Sequence, residues 1–207
     1  MSGPLGVELL QNVAERIIVA YLGYEGAVPV ELIRERVSAH GSFVDIVALA
    51  GGESRRIKVK ADPYFGTDAR KVADRALPFY RASADSYAFE ALADTTTREP
   101  GWTLASDADD LYYYYLALTQ SPDDVSALMT ERDEVFFSEL AVERDELVVL
   151  PMQAVRSWFD THHAEYTPRP VMHDRGAAWC RLVPREELER AVPGARTVGA
   201  VFGQLSH

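Results

Sequence analysis

The residues of this 207-residue sequence that could do chemistry are concentrated between Ser42 and Asp62, SFVDIVALAGGESRRIKVKAD. The alternating positions of FVDIVAL are almost all apolar, which predicts a strand with little polar surface, yet this strand carries the carboxylate of Asp45. The Gly51-Gly52 pair favours a tight turn, and Lys58 and Lys60 then share one face of the next strand. Because a buried charge must be paired or bind a metal, this hairpin is the first candidate site.

Apolar periodicity predicts the elements that position this hairpin. An amphipathic helix over residues 7–22 and a short helix over 29–37 precede it. Residues 63–84, the most basic stretch, indicate a short helix or an ordered loop, and residues 86–92 form a strand that carries Glu90. Further along, the patterns indicate strands over 111–118, 146–150 and 177–183, and helices over 121–129, 151–162 and 185–192.

Length and composition indicate one soluble domain over residues 1–207, with a core over about 7–185 and a tail over 193–207 that we expect to be mobile. The net charge of −11 disfavours free, high-affinity binding of nucleic acid. No apolar run approaches the roughly 20 residues that span a membrane, and no secretory signal is recognisable. Together with the lone Cys180, these observations predict a cytoplasmic protein without a membrane partner.

Six short motifs occur in a recognisable order: FVDIV, IKVKAD, YAFE, PGW, SDADDLYYY and ELVVLPMQAVRSWF. Over residues 7–185 they resemble the PD-(D/E)xK nuclease superfamily, and among its branches the phage-type and related prokaryotic endonuclease-like members. The resemblance implies an α/β fold with a restriction-endonuclease-like central mixed β-sheet flanked by helices. It also implies hydrolysis of phosphodiester bonds in DNA by a water bound to Mg²⁺ or Mn²⁺.

The resemblance assigns roles to three residues of the hairpin. Asp45 matches the first metal-binding acid of the family, and Lys60 matches the lysine that stabilises charge developing on phosphorus. The family places a second acid two residues before that lysine, where this chain has Lys58. A lysine there would repel a metal ion, so the predicted catalytic set of Asp45, Lys58, Lys60 and Glu90 departs from the family pattern.

An active site would therefore need a substitute carboxylate. Glu90 is the first choice, because it is the lone acid within what we predict to be the neighbouring strand. Asp62 is the second, so Asp45, Glu90 and Asp62 form the predicted metal-binding set. In several branches of the superfamily an acid from the first helix completes the shell, and Glu8 and Glu15 are the candidates for that role.

Three hypotheses about function remain open at this point. The protein could be a metal-dependent endonuclease that acts on DNA. It could instead be a catalytically degenerate nuclease-fold protein, in which the charged residues form a buried ion-pair network and the chain serves as a homodimer or as a subunit of a phage-related or defence assembly. A third reading, a small-molecule enzyme, rests on His162, His163 and His173, although the first two lie at a predicted helix C-terminus, where imidazoles are favourable without any catalytic role.

Overall fold

The computed structural model describes residues 6–63, 85–173 and 176–205. Within these ranges the chain forms six α-helices: α1 (Val7–Tyr24), α2 (Trp102–Ala105), α3 (Pro122–Leu128), α4 (Asp133–Glu139), α5 (Met152–His162) and α6 (Arg185–Ala191). The same ranges contain twelve strands: β1 (Val30–Leu32), β2 (Val37–Ser38), β3 (Gly41–Ser42), β4 (Ile46–Ala50), β5 (Glu53–Asp62), β6 (Ser86–Asp94), β7 (Glu99–Pro100), β8 (Asp110–Leu118), β9 (Val142–Pro151), β10 (Pro168–His173), β11 (Gly176–Pro184) and β12 (Arg196–Gly199).

The described strands form a six-stranded mixed sheet, a four-stranded sheet and a small two-stranded ribbon. The large sheet has the order β1-β4-β5-β8-β9-β12, in which β5 and β8 are parallel and every other neighbouring pair is antiparallel. The second sheet has the antiparallel order β10-β11-β6-β7, and β2 pairs with β3. The expectation of a mixed sheet in an α/β protein is therefore confirmed.

One face of the large sheet is covered by α1. The apolar stripe of this helix is fully buried at Val13, Ile17 and Ile18. These side chains pack in one cluster with Ile57 and Val59, which alternate along the same face of β5. The predicted amphipathic helix is confirmed. Because its apolar stripe is buried against the sheet, its polar residues are directed toward one edge of β5.

The other face of the large sheet packs against the four-stranded sheet. Tyr113 and Tyr115 of β8 point to this side, where they join Phe89 of β6 and Phe159 of α5 in a second core. Tyr112 and Tyr114, which alternate with them along β8, point to the α1 side. Because β8 is buried on both faces, its run of four tyrosines is explained by packing in a central strand.

The predicted helix over residues 29–37 is wrong. This segment contains β1 and the first residue of β2, and Val30 and Leu32 pair with β4 opposite Ala48 and Ile46. The apolar spacing of this segment fits a period of two as well as a helix, and the ladder with β4 decides between them. The chain thus adds a strand to the edge of the hairpin.

The C-terminal segment is attached to the large sheet through β12, which pairs with β9. The Asp145 carboxylate accepts hydrogen bonds from the backbone amides of Val201 and Phe202 at 2.7 and 2.9 Å, and both side chains are buried. The expected mobility of residues 193–207 stays a prediction. Residues 64–84, which hold most of the predicted basic segment, lie outside the described residues.

None of the helices in the described ranges combines the length and the apolar character needed to cross a membrane.

Candidate functional site

The candidate site lies at one edge of β5, beyond the point where β4 stops. The ladder between β4 and β5 reaches Ile57, and the next edge groups of β5 are bound by side chains. The Asp45 carboxylate accepts a hydrogen bond from the Val59 amide at 2.7 Å. The Gln11 side chain of α1 donates to the Val59 carbonyl at 2.9 Å and accepts from the Ala61 amide at 3.0 Å. Side chains therefore take the place of a neighbouring strand here.

Asp45 and Lys58 form an ion pair at this edge. In the hairpin, Ile46 pairs with Ile57. Asp45, which precedes Ile46, therefore lies opposite Lys58, which follows Ile57. The Lys58 Nζ donates to both carboxylate oxygens of Asp45, at 3.1 and 2.8 Å. The Lys58 side chain is 12% exposed and the Asp45 side chain 16%, so solvent screens the pair only weakly. Both oxygens that a metal ion would use already accept hydrogen bonds from an ammonium group.

Glu15 of α1 belongs to the same cluster. Its buried carboxylate accepts from Gln11 at 2.9 Å and from Arg34 at 3.1 Å. Burial raises the pKa of Glu15, and the negative charge of Asp45 raises it further, while the Gln11 hydrogen bond and the charges of Lys58 and Arg34 lower it. The structure thus brings Glu15, Asp45 and position 58 within electrostatic reach of one another.

Replacing Glu15 by glutamine should make the free energy of unfolding less dependent on pH in the weakly acidic range. Because the pKa of Glu15 is raised in the folded protein, its protonated form stabilises the fold. That contribution is complete below the unfolded pKa and is lost as the pH rises through the folded pKa. As the pH rises above the ordinary glutamate value of 4.5, the wild-type protein should therefore lose stability relative to the variant in urea titrations. Parallel pH profiles would contradict this, and Glu8→Gln, which removes an exposed carboxylate from the same helix, is the matched control.

Lys60 and Glu90 lie near a different residue, Cys180. The Lys60 Nζ donates to the Ala61 carbonyl at 2.8 Å and forms no ion pair with a described residue. Cys180 is paired with Glu90 in the ladder between β6 and β11. Burial raises the pKa of Cys180 to about 12, the charge of Glu90 raises it and that of Lys60 lowers it. Lys60 and Glu90 are therefore both close to this thiol, which stays protonated and is a poor nucleophile.

Glu90 does not lie on a strand next to β5, so the basis on which we chose it is wrong. Its strand, β6, pairs with β7 and β11 in the second sheet, while β5 pairs with β4 and β8. The Glu90 carboxylate accepts from the Trp102 amide at 3.2 Å. A Cβ added to Gly101 would lie 2.2 Å from the Glu90 carbonyl oxygen. The PGW motif thus packs directly on the backbone of β6, and Trp102 is buried against Phe89.

Asp62 and Glu8 lie apart from the ion pair. The buried Asp62 carboxylate accepts from the Tyr113 hydroxyl at 2.6 Å, and that hydroxyl accepts from the Ala88 amide at 2.8 Å. Residues two apart on a strand are about 7 Å apart, so Asp62 is about 13 Å along β5 from Lys58. Glu8 is exposed in the first turn of α1, two turns before Glu15. Of the substitute acids, Glu15 is the one that the structure brings to Asp45.

The three predicted metal ligands have separate partners. Asp45 pairs with Lys58, while Glu90 and Asp62 accept from the Trp102 amide and the Tyr113 hydroxyl. In the part of the chain that the structure describes, no three His, Cys, Asp or Glu side chains are grouped as a metal site would require. The Mg²⁺ or Mn²⁺ ligand set stays a prediction.

The histidines at the end of α5 have local roles. The Nδ1 of His162 lies 2.7 Å from the Trp158 carbonyl oxygen, and its ring stacks on the Trp158 indole. The Nδ1 of His163 lies 3.1 Å from the Phe159 carbonyl oxygen. Both contacts have the geometry of a hydrogen bond to the last turn of the helix, which supports packing rather than catalysis. The His173 side chain lies outside the described part of the structure.

Sequence reasoning missed Gln11 and Arg34, which hold Glu15 in place. Gln11 lies four residues before Glu15 on the same helix face, so its contact with the carboxylate could have been inferred from spacing. Its two hydrogen bonds to β5 could not, because they join residues 48 and 50 positions apart in the chain. Arg34 lay in the segment that we predicted as a helix.

Comparisons of the chain with protein-family models, with curated proteins and with solved structures found no match.

Proposed function

We propose that this chain is a nuclease-like protein in which the Asp45–Lys58 ion pair replaces the metal site, and that it acts as an interaction subunit of a protein assembly rather than as a hydrolase. The observation that carries the proposal is the contact of the Lys58 Nζ with both Asp45 oxygens. Two like charges about 4 Å apart repel by about 4 kcal/mol at an effective dielectric constant near 20. A lysine in this position would therefore lower metal affinity by roughly several hundredfold.

The order of the elements supports the nuclease-like part of the proposal. A helix, α1, packs on three antiparallel strands in the order β1-β4-β5, and a later strand, β8, joins them parallel to β5. Glu15 comes from α1, Asp45 directly precedes β4, and position 58 lies in β5. These are the elements from which the superfamily draws its acids.

Metal-dependent hydrolysis of DNA is the second candidate function. Two observations favour it. Glu15 lies within electrostatic reach of Asp45, so two carboxylates are available for a metal ion. Lys60 and Glu90, two of the predicted catalytic residues, both lie near Cys180 and thus in the same region. In that case Asp45 and Glu15 would hold Mg²⁺, which would polarise the phosphate and activate a water molecule. Lys58 would first have to leave the Asp45 carboxylate, and Lys60 would stabilise charge on the phosphoryl oxygens.

Calorimetry with Mg²⁺ and Mn²⁺ on the wild-type protein and on Lys58→Glu tests the proposal. We expect no binding to the wild-type protein. We expect binding to Lys58→Glu with a dissociation constant below about 1 mM, because this variant gathers the carboxylates of Glu15, Asp45 and residue 58. Lys58→Met, which removes the ammonium without adding a carboxylate, and Arg132→Glu, which makes the same charge change at an exposed residue, are the controls.

The outcomes separate the two functions. Binding to the wild-type protein that Asp45→Ala abolishes, together with metal-dependent nicking of plasmid DNA, would overturn the proposal in favour of hydrolysis. No binding to either the wild-type protein or Lys58→Glu would remove the nuclease-like interpretation of the site. Binding to Lys58→Glu alone would support a degenerate site, and the partner could then be sought by cross-linking in the cell.

A further inference from the structure

A cavity of about 310 Å³ opens on the face of the large sheet that α1 covers, and it is lined by two arginines, a tyrosine and an aspartate: Arg55, Arg196, Tyr112 and Asp110. Tyr21, in the last turns of α1, lies close enough for its pKa to be affected by Arg196, so the cavity is near the C-terminal end of that helix. Asp45, Lys58 and Glu15 are not among the residues that line this cavity. This cavity is therefore separate from the candidate site.

The strand register places Tyr112 and Arg196 on the same face. Tyr112 of β8 pairs with Val149 of β9, and Val149 pairs with Arg196 of β12. Directly paired residues point to the same side of a sheet. Because Tyr112 and Val149 belong to the core beneath α1, Arg196 points to that side as well.

The same register brings Arg55 and Asp110 to this face. Asp110 pairs with Ile57 of β5, whose side chain is buried beneath α1. Arg55 is two residues before Ile57 and therefore points the same way. The two arginines thus approach the cavity from opposite sides, Arg55 from β5 and Arg196 from β12, with Asp110 and Tyr112 between them on β8.

The Tyr112 hydroxyl is a donor at the cavity that no described residue engages. The residue is 7% exposed, and its hydroxyl makes no hydrogen bond with any described residue. Burial raises its pKa, as does the charge of Asp110, while the charges of Arg196 and Arg55 lower it. The hydroxyl is therefore protonated at neutral pH and lies within electrostatic reach of the other three side chains. It is therefore available to donate a hydrogen bond to a molecule in the cavity.

The arginines carry little compensating charge within the described structure. Arg196 forms no ion pair there, and Arg55 contacts only the exposed Glu53, at 3.3 Å. Asp110 is half-buried, and burial raises its pKa. Two guanidinium groups and one carboxylate line the cavity, and the Glu53 carboxylate that pairs with Arg55 is 74% exposed, so solvent screens it. The cavity wall is therefore a local site of positive charge in a protein with a net charge of −11.

We propose that this cavity binds the phosphate monoester group of a small molecule. Guanidinium groups present paired N–H donors that match phosphate oxygens, and the Tyr112 hydroxyl adds a further donor. A monoester carries close to two negative charges at neutral pH, which suits two arginines. The volume is at the lower end of the range for ligand sites and holds a phosphate with a few attached carbon atoms.

Titration calorimetry at low ionic strength, with inorganic phosphate and glycerol phosphate as probes, tests the proposal. We expect saturable binding that Arg196→Gln weakens about tenfold or more, because one charge-assisted contact is lost. Tyr112→Phe should weaken binding about threefold to tenfold. Asp110→Asn should strengthen it several-fold, because a repelling charge is removed. The controls are Arg132→Gln and Asp123→Asn, which make the same charge changes at exposed residues elsewhere.

Three results would overturn the proposal. The first is no saturable binding of either probe. The second is equal weakening by Arg196→Gln and Arg132→Gln, which would indicate general charge attraction. The third is displacement of the probe by a duplex oligonucleotide in an Arg196-dependent manner, which would assign the cavity to the phosphodiester backbone of nucleic acid. The proposal does not depend on the metal experiment, because none of Glu15, Asp45 and Lys58 lines the cavity and no metal is involved.

Discussion

Replacing Asp45 by alanine should lower the free energy of unfolding by about 3 to 4 kcal/mol, because the Lys58 ammonium would lose its carboxylate while remaining largely buried. The Val59 amide would lose its acceptor at the same time. Urea denaturation followed by circular dichroism measures the change. The control is Asp133→Ala, which breaks the ion pair with Arg16, because the Asp133 side chain is 72% exposed. That substitution should cost less than about 1 kcal/mol.

A double variant tests whether the loss comes from the unpaired charge. Adding Lys58→Met to Asp45→Ala should recover most of the stability and leave a deficit of about 1 kcal/mol, because a methionine of similar length is not penalised for burial. A cost below about 1 kcal/mol for Asp45→Ala alone would contradict a buried ion pair. Stabilisation of the wild-type protein by Mg²⁺ would also contradict it, since the metal would then compete with Lys58.

Replacing Gly101 by alanine should lower the free energy of unfolding by about 3 kcal/mol or more. The new Cβ would lie 2.2 Å from the Glu90 carbonyl oxygen and 2.6 Å from its carbonyl carbon, so backbone must move. That movement would strain two hydrogen bonds: the one from the Gly101 amide to the Ala91 carbonyl, at 3.0 Å, and the one from the Trp102 amide to the Glu90 carboxylate, at 3.2 Å. Thermal and urea unfolding would report the loss.

Gly23→Ala is the matched control for this substitution. Gly23 lies within α1, and an added Cβ would meet nothing within 4 Å. Alanine should therefore stabilise the protein by about 0.5 to 1 kcal/mol, because glycine is unfavourable in a helix. Opposite signs at the two glycines would show that close packing causes the loss at Gly101. A change within about 0.5 kcal/mol at Gly101 would contradict the contact with β6.

The sequence predicted the elements whose periodicity is strong and local. The apolar stripe of α1 and the alternation of β5 and β8 were read correctly, and the Gly51-Gly52 turn joins β4 to β5 as expected, with both glycines at positive φ. The proximity of Asp45 and Lys58 follows from that hairpin. These features depend on contacts between residues close in the chain, which is why a pattern in the sequence could reveal them.

The parts that failed depend on distant contacts. Residues 30–32 form a strand because they pair with β4, and nothing within the segment itself decides between helix and strand. The assignment of β6 to a second sheet depends on its partner β11, about ninety residues later. Consequently Glu90 could be recognised as an unusual acid within a strand, whereas its place in a second sheet could not be inferred.

The Gln11 amide at the edge of β5 has a consequence for how this protein associates with other chains. A strand that ends beside no neighbour offers its backbone to any extended peptide, which promotes aggregation and strand addition. The side chains of Gln11 and Asp45 occupy that edge. An incoming strand would have to displace the two hydrogen bonds of the Gln11 side chain and the hydrogen bond of the Asp45 carboxylate. Residues 59–61 are in this way closed to recruitment by β-augmentation, and a partner that docks here must do so through side chains.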